Sequence, residues 1–84
     1  MDDIDVRLAR LLAQRFFART GVDLTLDETA FALVVRTARQ ARARLETSAL
    51  ASVSLPFIVA GEKGPLHLDD ILSRDDLDAL TAGT

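Results

Sequence analysis

The feature that most constrains this chain is an abrupt change of hydrophobic period at Ser52. Before it, Ala38, Ala41 and Leu45 continue an apolar stripe at helical spacing, with Arg36, Arg39, Arg42 and Arg44 largely off that stripe. From Ser52 the period is two: Val53, Leu55, Phe57 and Val59 alternate against Ser52, Ser54 and Pro56. Gly61, Gly64 and Pro65 then break the run, and Leu66-His67-Leu68 starts another. The stretch reads as the end of an arginine-rich helix running directly into a β-hairpin.

The rest of the chain fits around that junction. Asp2, Asp3 and Asp5 open a first helix, where acids suit the positive end of the helix dipole. Ile4, Leu8, Leu11, Leu12 and Phe16 give it one apolar face, and Arg7, Arg10, Arg15 and Arg19 fall mostly outside it. Thr20-Gly21 stops the helix, Gly21 being suited to a left-handed cap. The second helix has two candidate starts, a capping box from Thr25 to Glu28 or an Asp27 N-cap. Asp27 is preferred because it lets Leu26 staple onto Phe31. Near the end, Ser73 is a good N-cap, Asp76 closes an aspartate version of the capping box, and Leu72 can staple Leu77.

The expected fold is therefore α/β, in the sense of α+β. Two long helices over about 4–19 and 27–46 and a short C-terminal helix from 74 pack on a small antiparallel sheet holding 52–60 and 65–69. Leu8, Leu11, Leu12, Phe16, Phe31, Leu45, Leu55, Phe57 and Leu77 are the expected core. Pro56 has no N–H to donate, so it belongs on an open edge or in a bulge. The end at Thr81-Ala82-Gly83-Thr84 is expected to fray.

Residues 1–84 suit a single domain with one modest core. The absence of cysteine excludes disulfides and thiolate metal sites and fits a reducing compartment. No run of eighteen apolar residues and no signal peptide is present, which leads us to expect a soluble, cytoplasmic protein without membrane contact. A net charge of −3 speaks against general nucleic-acid binding. Charge is nonetheless uneven, with four arginines and no acid in Arg36–Arg44 and five acids beside one arginine in Asp69–Asp78.

Few residues carry chemistry. His67 is the one histidine and has no second ligand or nucleophile nearby in sequence, so it reads as structural or solvated. Asp69, Asp70, Asp75, Asp76 and Asp78 do not have the spacing of a calcium loop, and Asp75 and Asp76 already suit a helix start. The arginine ridge lacks interleaved aromatics and reads as a solvated helix face or a contact to a partner rather than a phosphate track.

The order of these segments carries a resemblance. A basic helix end, then Leu55-Pro56-Phe57-Ile58-x-Ala60, Gly64-Pro65, His67-Leu68 and Ser73-Arg74-x-x-Leu77 resembles the DnaK-type 70-kDa heat-shock chaperones, in subdomain IIB of their actin-like ATPase domain. Ile4-Asp5-x-Arg7-Leu8 and Thr20-Gly21-Val22-Asp23-Leu24 extend the similarity over nearly the whole chain. Relative to that pattern, Asp69-Asp70-Ile71-Leu72 puts an acid where an apolar side chain is usual, so the second strand is expected to end early or to bulge.

The resemblance implies an excised part of an ATP-dependent chaperone that binds ATP or ADP only in its parent. In the family the second helix lines one side of the adenosine pocket, through positions that fall here on Arg39, Arg42, Ala43 and Glu46. Only Arg42 keeps the family's character: Arg39 reverses a usual glutamate, Ala43 lacks the reach of a basic residue, and Glu46 replaces a serine. The implied partners are a nucleotide exchange factor and the remaining lobes of the ATPase domain. Phosphate loops, catalytic lysine and metal-organising acids lie outside the segment, so the chain alone is not expected to be an enzyme. A free-standing protein-interaction module on the same fold is the alternative.

Overall fold

The computed structural model describes residues 3–82. Asp2, expected beside Asp3 at the first helix start, and Gly83-Thr84, expected to fray, lie outside them, whereas Thr81 and Ala82, also expected to fray, complete a helix. Helix α1 spans Ile4–Thr20, α2 spans Glu28–Arg44 and α3 spans Arg74–Ala82, while β1, Leu50–Gly61, pairs with β2, Gly64–Ser73, as an antiparallel hairpin. A single 3-10 turn, Leu24–Leu26, joins the long helices. Helix α2 packs against both α1 and β1, and α3 closes on α1 and β2. This is the α+β arrangement the change of period implied.

Local chemistry explains where each helix begins and ends. Asp3 caps α1, its side chain accepting the Asp5 N–H. Gly21 ends that helix at φ 77°, where a β-carbon would be strained, and its N–H donates to the Phe17 carbonyl at 2.8 Å. Asp27 is the N-cap of α2, accepting the Ala30 N–H at 3.0 Å. The staple that favoured Asp27 does not form, for Leu26 is 84% exposed. The 3-10 turn instead buries Leu24, which fills the core position in its place. At α3 the Ser73 Oγ accepts the Asp76 N–H at 3.1 Å, and Asp76 Oδ2 accepts the Ser73 N–H at 3.0 Å. That is the reciprocal box expected from the sequence.

The core lies between the two long helices and the inner face of the hairpin. Leu8, Leu12, Phe16, Leu24, Val34, Leu68 and Leu72 are fully buried, and Leu45 nearly so. Small residues take a large share: Ala9, Ala13, Ala30, Ala38, Ala41 and Ala51 are also buried, which lets helices and hairpin approach closely. Leu11, Phe31, Leu55 and Leu77 pack only partly against this core. Phe57 departs furthest from expectation, at 69% exposed.

The hairpin explains Phe57. Both strands are longer than the sequence suggested, and β2 neither ends early nor bulges at its acids. Pairing continues through Ser54↔Asp69, Val53↔Asp70, Ser52↔Ile71 and Ala51↔Leu72 to Leu50↔Ser73. The irregularity is in β1 instead, between Leu55 and Val59. Phe57 takes φ 54° there, the alternation breaks, and Ile58 rather than Phe57 turns inward. Proline cannot donate a ladder hydrogen bond, and Pro56 sits inside this bulge. Asp70 is tolerated at a mostly covered position because Arg15 of α1 approaches its Oδ1 at 3.5 Å and the Ile71 N–H donates to the same oxygen at 2.8 Å. Its Oδ2 is buried without a hydrogen-bond partner among the described residues.

Candidate functional site

The positions singled out by sequence lie on the C-terminal half of α2, and the structure divides them. Arg39 and Arg42 are three residues apart and therefore on one face. Both turn to the same carboxylate, Asp5 in the first turn of α1. Arg39 Nε donates to Asp5 Oδ2 at 3.0 Å, and Arg42 Nε to Asp5 Oδ1 at 2.6 Å, with Arg42 Nη2 at 3.5 Å from Oδ2. Asp5 is 2% exposed, whereas the Arg39 and Arg42 side chains are 64% and 37% exposed. The like charges of Arg39 and Arg42 are thus met by one carboxylate from another helix. Hydrogen bonding from Arg42, reinforced by Arg39, outweighs burial and holds the Asp5 carboxyl below the usual aspartate range. The same bond holds Arg42 above the usual guanidinium value.

Ala43 and Glu46 belong to a different part of the surface. Both are exposed, and Glu46 lies past the last residue of α2. Helix α2 ends at Leu45, whose carbonyl accepts Arg74 Nε at 2.9 Å, while the Glu46 carbonyl accepts Arg74 Nη2 at 3.4 Å. Arg42 and Glu46 nevertheless line one open cleft of about 370 Å³, floored by Ile4, Leu45 and Leu77. Arg39 and Ala43 do not line it. Arg74, Asp78 and Thr81 line it too, so the apolar side chains stand beside two cations, two carboxylates and a hydroxyl, a mixture that can meet the polar edges of an aromatic ring.

Two other sequence candidates have local roles. His67 Nδ1 accepts the Phe57 N–H at 3.0 Å, and its ring meets the Phe57 ring edge-on with centroids 4.9 Å apart. The histidine is therefore the support of the β1 bulge. Among the acids, Asp69 accepts the Ser54 hydroxyl across the hairpin at 3.0 Å. Asp76 receives Arg15 Nη2 at 2.8 Å. Burial works against the Asp76 carboxylate, yet the Ser73 N–H and Arg15 keep its pKa below the ordinary value.

Asp5 is the site residue that sequence reasoning missed. It was explained by the helix dipole alone, but a sharper signal was present. Asp5, Leu8 and Leu12 share one face of α1, so an acid sits on the buried stripe and requires a cationic partner. Arginines three apart on the facing helix are the available pair.

Comparison with known proteins decides what kind of chain this is. The sequence profile of the family described as "Hsp70 protein" matches residues 2–84. The chain belongs to the Hsp70 family. It is 35% identical over 81 residues to a relative, the "Chaperone protein DnaK" of Trichormus variabilis (strain ATCC 29413 / PCC 7937). That match takes in 96% of this chain and 12% of the relative, so the chain spans about an eighth of the Hsp70 protein it resembles. No helix among its described residues is long and apolar enough to cross a membrane.

Proposed function

We propose that residues 1–84 form one domain, subdomain IIB of an actin-like ATPase domain in a cytoplasmic Hsp70-type chaperone. In this reading the C-terminal half of α2 is one side of an adenosine pocket for ATP or ADP. The rest of the hairpin-and-helix unit is the lobe that a nucleotide exchange factor moves. The observation that carries the proposal is the 35% identity to a DnaK chaperone along 96% of the chain. The cleft between Arg42 and Glu46 supports it, because a nucleobase needs an apolar floor and a few polar edges. Alone the chain holds nucleotide from one side only and hydrolyses nothing. Phosphates and metal are the task of the remaining lobes.

The exposed Phe57 supports the exchange-factor part of the reading. An aromatic held out of the core in a left-handed backbone conformation, with its N–H fixed by His67, is a preorganised contact for a protein surface. Calorimetry on the full-length protein tests the nucleotide part. Ala43→Arg with Glu46→Ser restores the basic reach and the small hydroxyl of the family pattern, and should tighten ADP binding by about 1–2 kcal/mol. Unchanged affinity would mean that this end of α2 faces no nucleotide, favouring a protein-interaction module instead. Arg39→Glu is left out of that variant because a second acid would then stand beside Asp5.

A further inference from the structure

The Asp5 carboxylate does something that neither packing nor the helix dipole requires. It lies on the buried stripe of α1, where Leu8 and Leu12 are wholly enclosed, and it is 2% exposed. Both of its oxygens are taken by guanidiniums that come from α2, on side chains far more exposed than Asp5 itself. A buried acid holding two exposed cations is the reverse of the usual surface ion pair, in which both partners are solvated and mobile. The anchor is fixed by the core, so its geometry passes outward to the arginines.

Contact at the Nε edge matters here. Nε is the guanidinium nitrogen nearest the chain, and Asp5 engages it on both Arg39 and Arg42. On Arg42 the Nη2 atom also reaches the carboxylate, giving a two-point contact that fixes the plane of the group. An arginine on an open helix face otherwise samples many rotamers, and ordering it on a ligand costs affinity. Here the ordering is done before any ligand arrives.

We infer that Asp5 is the positioning residue of the α2 nucleotide wall, holding Arg42, with Arg39 bracing the same carboxylate, in the orientation in which Arg42 meets the bound nucleoside. The inference rests on the reading of α2 as that wall. Asp5 itself touches no nucleotide. It acts from α1, so the first turn of one helix sets the binding surface of another.

Nucleotide calorimetry on the full-length protein, with ADP as ligand, separates the inference from the reading beneath it. Arg42→Ala should weaken ADP binding about tenfold, the loss of one charge-assisted contact. Asp5→Asn, which keeps the shape and removes the charge, should weaken it by a similar factor. Asp5→Asn combined with Arg39→Glu should recover most of that loss, because a glutamate three residues before Arg42 can hold the same guanidinium from its own helix. A residue important only for folding would not be rescued in this way. Should Asp5→Asn not fold, Asp5→Glu keeps the charge but lengthens the side chain, displaces both guanidiniums, and should show the same loss. Unchanged affinity in Arg42→Ala overturns the α2 reading and the inference together. Weakened Arg42→Ala with normal binding in the Asp5 variant, or an Asp5→Asn loss that Arg39→Glu does not recover, overturns the positioning role alone.

Discussion

At the scale of single residues, several charged side chains of this chain join elements far apart in sequence. Arg15 joins α1 to Asp76 of α3, Arg19 to the Asp69 carbonyl of β2, and Arg74 joins α3 to the end of α2. Asp5 is the most buried of these groups, and its contribution to stability is testable by pH. Its folded pKa is depressed, chiefly by Arg42, so its stabilisation is fully present above the unfolded aspartate value of about 3.9. It is lost as pH falls through the lower, folded value. Asp5→Asn should cost about 1–2 kcal/mol at pH 7, less than a fully buried pair because both arginines regain water easily. In urea unfolding, the gap to wild type should narrow progressively below about pH 4. A gap that is constant with pH would mean the carboxylate's charge is not what stabilises. Phe57 makes the opposite case. At φ 54° a β-carbon is strained, so Phe57→Gly should leave stability within about 1 kcal/mol, relief of strain offsetting the added chain entropy. The same variant should bind exchange factor more weakly; retained binding in a pull-down titration would remove Phe57 from that surface.

At the scale of elements, much was legible because the signals were local. Gly21, Asp27 and Ser73–Asp76 each end or start a helix through a contact within a few residues, and each stands where the pattern put it. Ser73→Ala should therefore cost about 0.5–2 kcal/mol in thermal or chemical unfolding. A loss below 0.3 kcal/mol would mean the reciprocal box does not hold α3. Leu45→Ala, at a helix cap 2% exposed, should cost about 2–5 kcal/mol. What failed were judgments that depend on elements far apart in sequence. A strict period of two placed Phe57 inward, but β1 sets three residues, Pro56 to Ile58, opposite His67 alone, and only the pairing of Leu55 with Leu68 and Val59 with Leu66 fixes where that excess falls. Leu26 was assigned to a staple because nothing local revealed that Leu24 would fill the core. Asp70 looked like a strand breaker because its cationic neighbour, Arg15, is 55 residues earlier in the chain. The candidate site shows the same division. Sequence located Arg42 and Glu46, which share a cleft, while Asp5 emerged only once α1 and α2 were side by side.

At the scale of the whole molecule, the question is how much of a nucleotide site one lobe can hold. The cleft at Arg42 and Glu46 is open to solvent, so a nucleotide whose base lay in it would leave one face of that base in water. The chain has only four glycines, and among the described residues two of them, in a helix cap and a hairpin turn, take positive φ; its net charge of −3 repels a polyphosphate. Phosphate binding in a nucleotide site relies on backbone N–H groups in a glycine-rich loop or at a helix N-terminus. Here Asp3, Asp27 and Ser73 cap the three helices, each accepting one of those N–H groups. A small polar ligand also has to offset several kcal/mol of lost freedom before any affinity shows. One-sided stacking and a single charge-assisted contact, about 1.5–3 kcal/mol, do not reach that. The 84-residue chain should accordingly show no ATP or ADP binding tighter than several millimolar, read as chemical-shift changes during a nucleotide titration. Under the proposed reading its binding to an exchange factor should survive in weakened form, because a contact on the outer surface of the lobe would not need the opposing lobe. Submillimolar ATP affinity in the isolated chain would show that the nucleotide site is complete within it, and would remove the need for an opposing lobe.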